Sequence, residues 1–197
     1  MSHGTDKPVM DTSIDLSGQF LLAMPGVVGG ALADTIIYVC EHNAEGALGL
    51  VVNRPTDITI GDLLQRIELD LSLEIGPVKD APVFFGGPVQ TDRGFVLHVP
   101  ARDYTSSVHL GAMALTTSRD ILQDVSQGTG PNRLMVSLGY AGWGAGQLES
   151  EMASNAWLNV DATQEILFET PAESRYQAAL SQLGINPMML TGEAGHA

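Results

Sequence analysis

At 197 residues the chain is long enough to bury a substantial core and short enough for one domain. It carries 23 acidic against 9 basic side chains, a net charge of −14, with only Lys7 and Lys79 as lysines. Such a field repels phosphate backbones and anionic lipid, and no basic stripe follows a nucleic acid, so direct nucleic-acid and membrane partners are not expected. Cys40 is the single cysteine, which excludes an internal disulfide. Residues 1–15 lack the basic and apolar regions of a secretory signal, and the apolar stretch 20–28 is broken by Pro25-Gly26, so the expected location is the cytoplasm.

Residues 1–15 read as a loose leader to one domain over 16–197. Short apolar runs bounded by turn residues then predict strands at 20–24, 35–41 and 47–53, the last two forming a hairpin. Ile60, Leu63, Leu64 and Ile67 repeat at helical spacing behind a start signal from Thr59 and Asp62. Strands are expected at 82–85, 94–99 and 109–115. A helix follows Ser118, carrying Ile121, Leu122 and Val125, and stops at Gly128 and Gly130-Pro131. After a strand at 133–138 come the glycine-rich residues 139–146, a short helix around Leu148 and Met152, and strands at 157–160 and 165–168. The clearest helix spans 171–183, with Thr170 as its cap, Glu173 completing a capping box and Gly184 at its exit. Met188-Met189 reads as a docking turn before a tail in which His196 is exposed. Helices and strands do not alternate regularly, so the fold class is α+β, a single domain with a few short peripheral helices.

The glycines at 139, 142, 144 and 146 lie between a strand and a helix, where a phosphate-binding loop would lie. No Lys-Ser/Thr pair follows, the dinucleotide spacing fits only in pieces, and Glu149 and Glu151 put negative charge beside the proposed phosphate. The better reading is a tight turn that packs Tyr140, Trp143 and the next helix on the sheet. No cofactor and no metal is expected. Cys40 and His42 would share a strand face about 7 Å apart, long for thiol–imidazole activation. Cys40 then reads as a small buried hydrophobe, with nucleophilic or redox use as the alternative. Thr116, Thr117 and Ser118 at a helix start would hold a small anion if Arg54 or Arg93 faced them. His42, Asn53 and His98 are further polar residues at strand ends. Against this site stands a plainer account, in which Ser118 caps the helix and each arginine pairs with a carboxylate.

The blocks GQFLLAMPG (18–26), YVCEHN (38–43), GALGLVVNRP (46–55), GGPV (86–89), RGFVLH (93–98), LTTSRDIL (115–122), the run 139–151 and NAWL (155–158) stand in one order. Together, and with the terminal AGHA, they resemble the AlgH/YqgE family of bacterial proteins over nearly the whole chain from Gly18. The resemblance implies a compact α+β fold with a coiled, mostly antiparallel sheet, in the bacterial cytoplasm. It implies no particular chemistry; one branch is named for a proposed role in regulating exopolysaccharide synthesis. Val27–Gly30 and Ala33-Asp34 replace a more polar turn that often ends in an arginine-serine pair. The resulting expectation is a non-enzymatic binding or regulatory protein, acting through a small anionic ligand or a protein partner, with any effect on transcription indirect. The alternative is a cryptic enzyme with a small-anion site at the strand ends, built from His42, Asn53, Arg54, Arg93, His98, Thr116, Thr117 and Ser118.

Overall fold

The computed structural model describes residues 14–190. The leader expected over 1–15 falls, apart from Ile14 and Asp15, outside the described residues, as do the tail and His196. Ten strands form one strongly curled sheet. β1 (Gln19–Ala23), β2 (Ile36–Asn43) and β3 (Gly46–Val51) form an antiparallel meander, with β10 (Trp157–Asp161) beside β1. β4 (Pro55–Thr59) pairs β5 (Pro82–Phe85), and β6 (Val89–Val99) pairs β8 (Met113–Thr116), which carries β7 (Ser107–Leu110) at the edge. The expected strand 109–115 is therefore a hairpin, folded back at Gly111, whose φ of 68° permits the tight reversal.

β9 (Arg133–Gly144) joins the two halves. Its first half pairs β6 antiparallel and β5 in parallel, and its second half pairs β3 from Gly46↔Gly144 to Gly49↔Ala141. The glycine-rich segment is therefore mostly strand rather than a loop. Its turn is at Gly139 (φ 78°), where the strand passes from one half-sheet to the other. A Cβ on Gly139 would lie 2.3 Å from the Gly87 carbonyl oxygen, and one on Gly87 would lie 2.0 Å from the Tyr140 carbonyl carbon. Two backbones touch there, and only glycine fits.

Among the described residues three α-helices cover outer faces of the sheet and a fourth fills the inside of the curl. α1 (Ile60–Arg66) begins with the expected capping box: the Thr59 hydroxyl accepts from Asp62 N–H and the Asp62 carboxylate accepts from Thr59 N–H. α2 (Arg119–Ser126) buries Ile121 and Val125 with α1 and Val96 and Val136 of the sheet. α3 (Gln147–Ala153) lays Leu148 on Trp143, Trp157 and Ile37. α4 (Ala172–Gln182) plugs the inside of the curl with Ala179 and Leu180 against Phe20, Leu22 and Val52. Two expectations change here. Residues 165–168 form a π-helical turn, Glu165–Glu169, because Thr163 and Thr170 bond its ends and Ile166 and Leu167 reach inward beneath α4. Thr170 does not cap α4: its hydroxyl donates to the Glu165 carbonyl, and Pro171 occupies the cap position without a side-chain bond. Among the described residues no helix is long and apolar enough to cross a membrane.

Candidate functional site

The polar residues singled out in the sequence fall into three separate places. At one sheet end, Asn53 accepts from Ile36 N–H (3.2 Å) and donates to the Asp34 carbonyl (3.0 Å). Arg54 donates to the carbonyls of Ala31 (2.7 Å) and Ala33, pinning the 3₁₀ turn Gly30–Leu32. Both Nη groups of Arg54 are thus spent on main-chain carbonyls of residues 31 and 33, and not on the helix start at Thr116–Ser118 as the small-anion reading required.

His42 lies at a second place. Its Nδ1 accepts from Leu16 N–H at 3.0 Å, which fixes the proton on Nε2, and Nε2–H donates to the Glu149 carboxylate on α3. His42 N–H in turn donates to the Ser17 hydroxyl at 3.0 Å. The imidazole ties the segment before β1 to β2 and α3. Cys40 and His42 do not share a face. A β-bulge between Val39 and Glu41 adds a residue to β2, so Cys40 packs inside the curl while His42 meets the α3 side. Burial pushes the Cys40 thiol well above the ordinary range, with the neighbouring Glu41 charge adding to it, and keeps it protonated.

The third place gathers His98, Thr116, Thr117, Ser118 and Arg93. The Pro100 carbonyl can only accept, so His98 Nδ1–H donates to it (2.9 Å) and Nε2 accepts from the Thr116 hydroxyl (2.7 Å). That direction makes Ser107 the donor to Thr116 (2.7 Å), and Ser107 accepts from Tyr104 N–H (2.9 Å). His98 is thus a fully bonded, buried neutral imidazole. Burial, aided by the Arg102 and His109 charges, holds its pKa below that of an ordinary histidine, although its bond to Pro100 works the other way. Ser118 donates to Asp120 (2.5 Å) and accepts from Ser106 N–H (3.2 Å); it stands at the start of α2 without capping it. Thr117 N–H and hydroxyl both donate to Ser106 Oγ, at 2.9 and 3.0 Å, which leaves the Ser106 O–H as a donor.

Ser106 and Thr117 form one wall of a pocket of about 240 Å³ lined by residues of β2, β3, β6, β7, β8 and β9. Cys40, Phe95 and Leu115 line its interior, and Val108 stands 57% exposed at the edge. Arg93 and Glu41 lie on different strands at the mouth. Arg93 lies over the Phe95 ring at 5.4 Å and donates to Gln90 Oε1 at 3.3 Å. Arg102, Arg119 and Arg175, by contrast, donate to main-chain carbonyls. Glu41, Leu48 and Tyr140 also border a shallower groove of about 440 Å³ that runs along β3 to Asn43 and Glu45. Pocket and groove thus share three wall residues. Of the expected residues they contain Arg93 and Thr117; Leu48, Tyr140 and Val108 are walls that sequence reasoning missed. No local motif marks them, since they meet only when the sheet curls. Among the described residues no group of three or more His, Cys, Asp and Glu side chains is placed to hold a metal ion.

Comparison with known proteins places this architecture. The AlgH-like family model matches residues 20–188. A UPF0301 protein of Bordetella pertussis is 67% identical over 187 residues, covering 95% of this chain and 92% of that protein. One from Ralstonia nicotianae is 55% identical, covering 95% and 98%. The solution structure of the AlgH protein from Pseudomonas aeruginosa matches with a TM-score of 0.77 and 43% identity over all of both chains. A crystal structure from Corynebacterium diphtheriae, 16% identical over 92% of each chain, shares the fold at a TM-score of 0.68. With a family match over most of its length and relatives of this identity, the chain belongs to the AlgH-like family.

Proposed function

We propose that this is a non-enzymatic binding protein of the cytoplasm, which takes an extended segment of a protein partner in the pocket and groove that meet at Glu41, Leu48 and Tyr140 of its curled sheet. The observation that carries the reading is that the two share Glu41, Leu48 and Tyr140 as walls. The groove is too shallow to enclose a small molecule, which a dedicated site buries by 70–90% or more. An extended chain needs only a track and an anchor, and the apolar pocket is sized for one side chain. Glu41 and Glu45 line the track, and the chain's net charge is −14, so the preferred segment is basic around an apolar anchor. Two histidines close to the site in sequence support binding over catalysis, since both ring nitrogens of His42 and of His98 are already bonded, and the exposed His109 has its Nε2 on Asp103 at 2.5 Å. Any regulatory effect of the protein would pass through that partner.

Peptide display against the full chain tests this, with counter-selection on Val89→Lys/Val108→Lys, two exposed edge positions whose replacement spares the core and repels a basic segment. The expected outcome is enrichment of peptides with one large apolar residue flanked by Lys or Arg, with binding lost in the double variant. Selected peptides that bind the variant as well as the parent would refute the site.

A further inference from the structure

A second feature belongs to none of this: Arg175, whose side chain is buried on α4 with only 7% of the residue exposed. Its Nε donates to the Thr170 carbonyl at 2.9 Å and its Nη1 to the Val52 carbonyl at 2.5 Å, and the guanidinium stacks over Phe84 at 5.1 Å. These contacts fix its plane but bring no opposite charge. No ion pair found among the described residues includes it. A buried cation without an anion is costly, and burial accordingly depresses the Arg175 pKa, with only the exposed Glu173 acting against that.

Arg175 is also part of a wall. A cavity of about 460 Å³, within the range of small-molecule sites, opens between β5, β9, the turn Glu165–Glu169 and the start of α4. Phe84, Phe168, Leu134 and Val136 give it an apolar body, and residues 170–173 bring the first turn of α4 to its rim. Pro171 at the cap position offers that turn no side-chain acceptor. The first turn of α4, which has no side-chain cap, and the buried Arg175 therefore line the same apolar cavity.

We infer that this cavity binds a small monocarboxylate with an aliphatic or aromatic tail, its carboxylate supplying the counter-charge that Arg175 lacks. Glu169 and Glu173 also line the cavity, and Glu169 is held away by Arg133 at 2.6 Å. One guanidinium set against rim carboxylates and a strongly acidic surface suits a monoanion and disfavours a phosphate dianion. Glu173 is the group that opposes binding.

The test is an amide NMR titration of the full chain with octanoate, run beside octan-1-ol as the uncharged analogue. Saturable shifts centred on Phe84, Phe168 and residues 170–175 are expected, with octanol weaker by about tenfold or more. Glu173→Gln should tighten octanoate by roughly twofold, because it removes a repelling rim charge from an exposed position. Arg175→Lys keeps the charge but loses the fork, and should weaken octanoate while leaving octanol unchanged. If that variant fails to fold, the Glu173→Gln and octanol comparisons decide alone. The inference is overturned by absence of saturable shifts, by equal affinity for the two probes, or by shifts confined to the Arg93 pocket.

Discussion

Gly139 and Gly144 stand five residues apart in one strand, and the structure assigns them opposite sensitivities to alanine. At Gly139 the backbone is left-handed, with φ 78°, which costs a residue with a Cβ about 1–2 kcal/mol. The added carbon would also lie 2.3 Å from the Gly87 carbonyl oxygen, a contact with backbone that no rotamer change relieves. To make room, β9 must part from residues 86–89, straining the 2.8 Å bond from Gly86 N–H to the Leu138 carbonyl and the pairing of Val89 with Tyr140. Losing one such bond adds about 1 kcal/mol. Gly139→Ala should therefore cost about 3 kcal/mol, which lowers the thermal midpoint of a chain this size by roughly 6–12 °C. At Gly144 the nearest atom to a new Cβ is Gln147 Oε1 at 3.9 Å, and the backbone lies outside the left-handed region. Gly144→Ala should stay within about 0.5 kcal/mol of the parent. Differential scanning calorimetry of the two variants at one pH decides. Midpoints within 2 °C of each other (about 1 kcal/mol or less) would refute the close-approach account of the junction.

Two other outcomes follow from buried groups. His98 has its folded pKa held below the unfolded value of 6.5, so the unfolded chain takes up that proton first. The His98 contribution to stability is complete above that value and is lost as pH falls through it toward the folded pKa. His98→Asn keeps a donor for Pro100 and removes the titration. Its urea midpoint should be lower than the parent's at pH 7.5, about one unit above the unfolded pKa, but fall less on going to about pH 5. A parent and variant that lose equal stability on acidification would contradict the assignment. Cys40, buried and with its thiol pKa raised, should resist iodoacetamide at neutral pH until urea unfolds the chain. Fast alkylation of the folded protein would show that a nucleophilic thiol opens into the pocket.

Most elements were legible in the sequence wherever a local signal sufficed. The β2–β3 hairpin came from two apolar runs about a short turn, and α1 from the Thr59–Asp62 box, which the structure forms in full. Failures share one cause, a tertiary contact stronger than the local cue. Ile166-Leu167-Phe168 looks like a strand, but its neighbours Thr163 and Thr170 close it into a π-helical turn beneath α4. Thr170 and Glu173 look like a capping box, yet the Thr170 hydroxyl is drawn back to Glu165. The glycine-rich run looks like a loop because glycine disfavours strands; here β3 lies along it and its first glycine serves the sheet junction. For the site, Arg93 and Thr117 were visible as polar residues at strand ends, but nothing in the sequence separates Arg93 from Arg54. Only the fold shows one across an aromatic face at a pocket mouth and the other tied to two carbonyls.

The bulge in β2 connects the fold to the proposed site. With strict alternation from Tyr38, the inner face would receive Cys40 and His42, while Glu41 would turn to the α3 side. The extra residue instead leaves Cys40 inside, brings Glu41 to the pocket mouth, and sends His42 outward to Leu16 and Glu149. Two consequences follow from one irregularity. The pocket gains a carboxylate on a strand separate from that of Arg93, so its lining carries both signs of charge. It also loses the imidazole that would have stood beside the thiol, and with it the base a cysteine nucleophile needs. The same displacement that brings Glu41 to the pocket therefore removes its most obvious route to covalent chemistry.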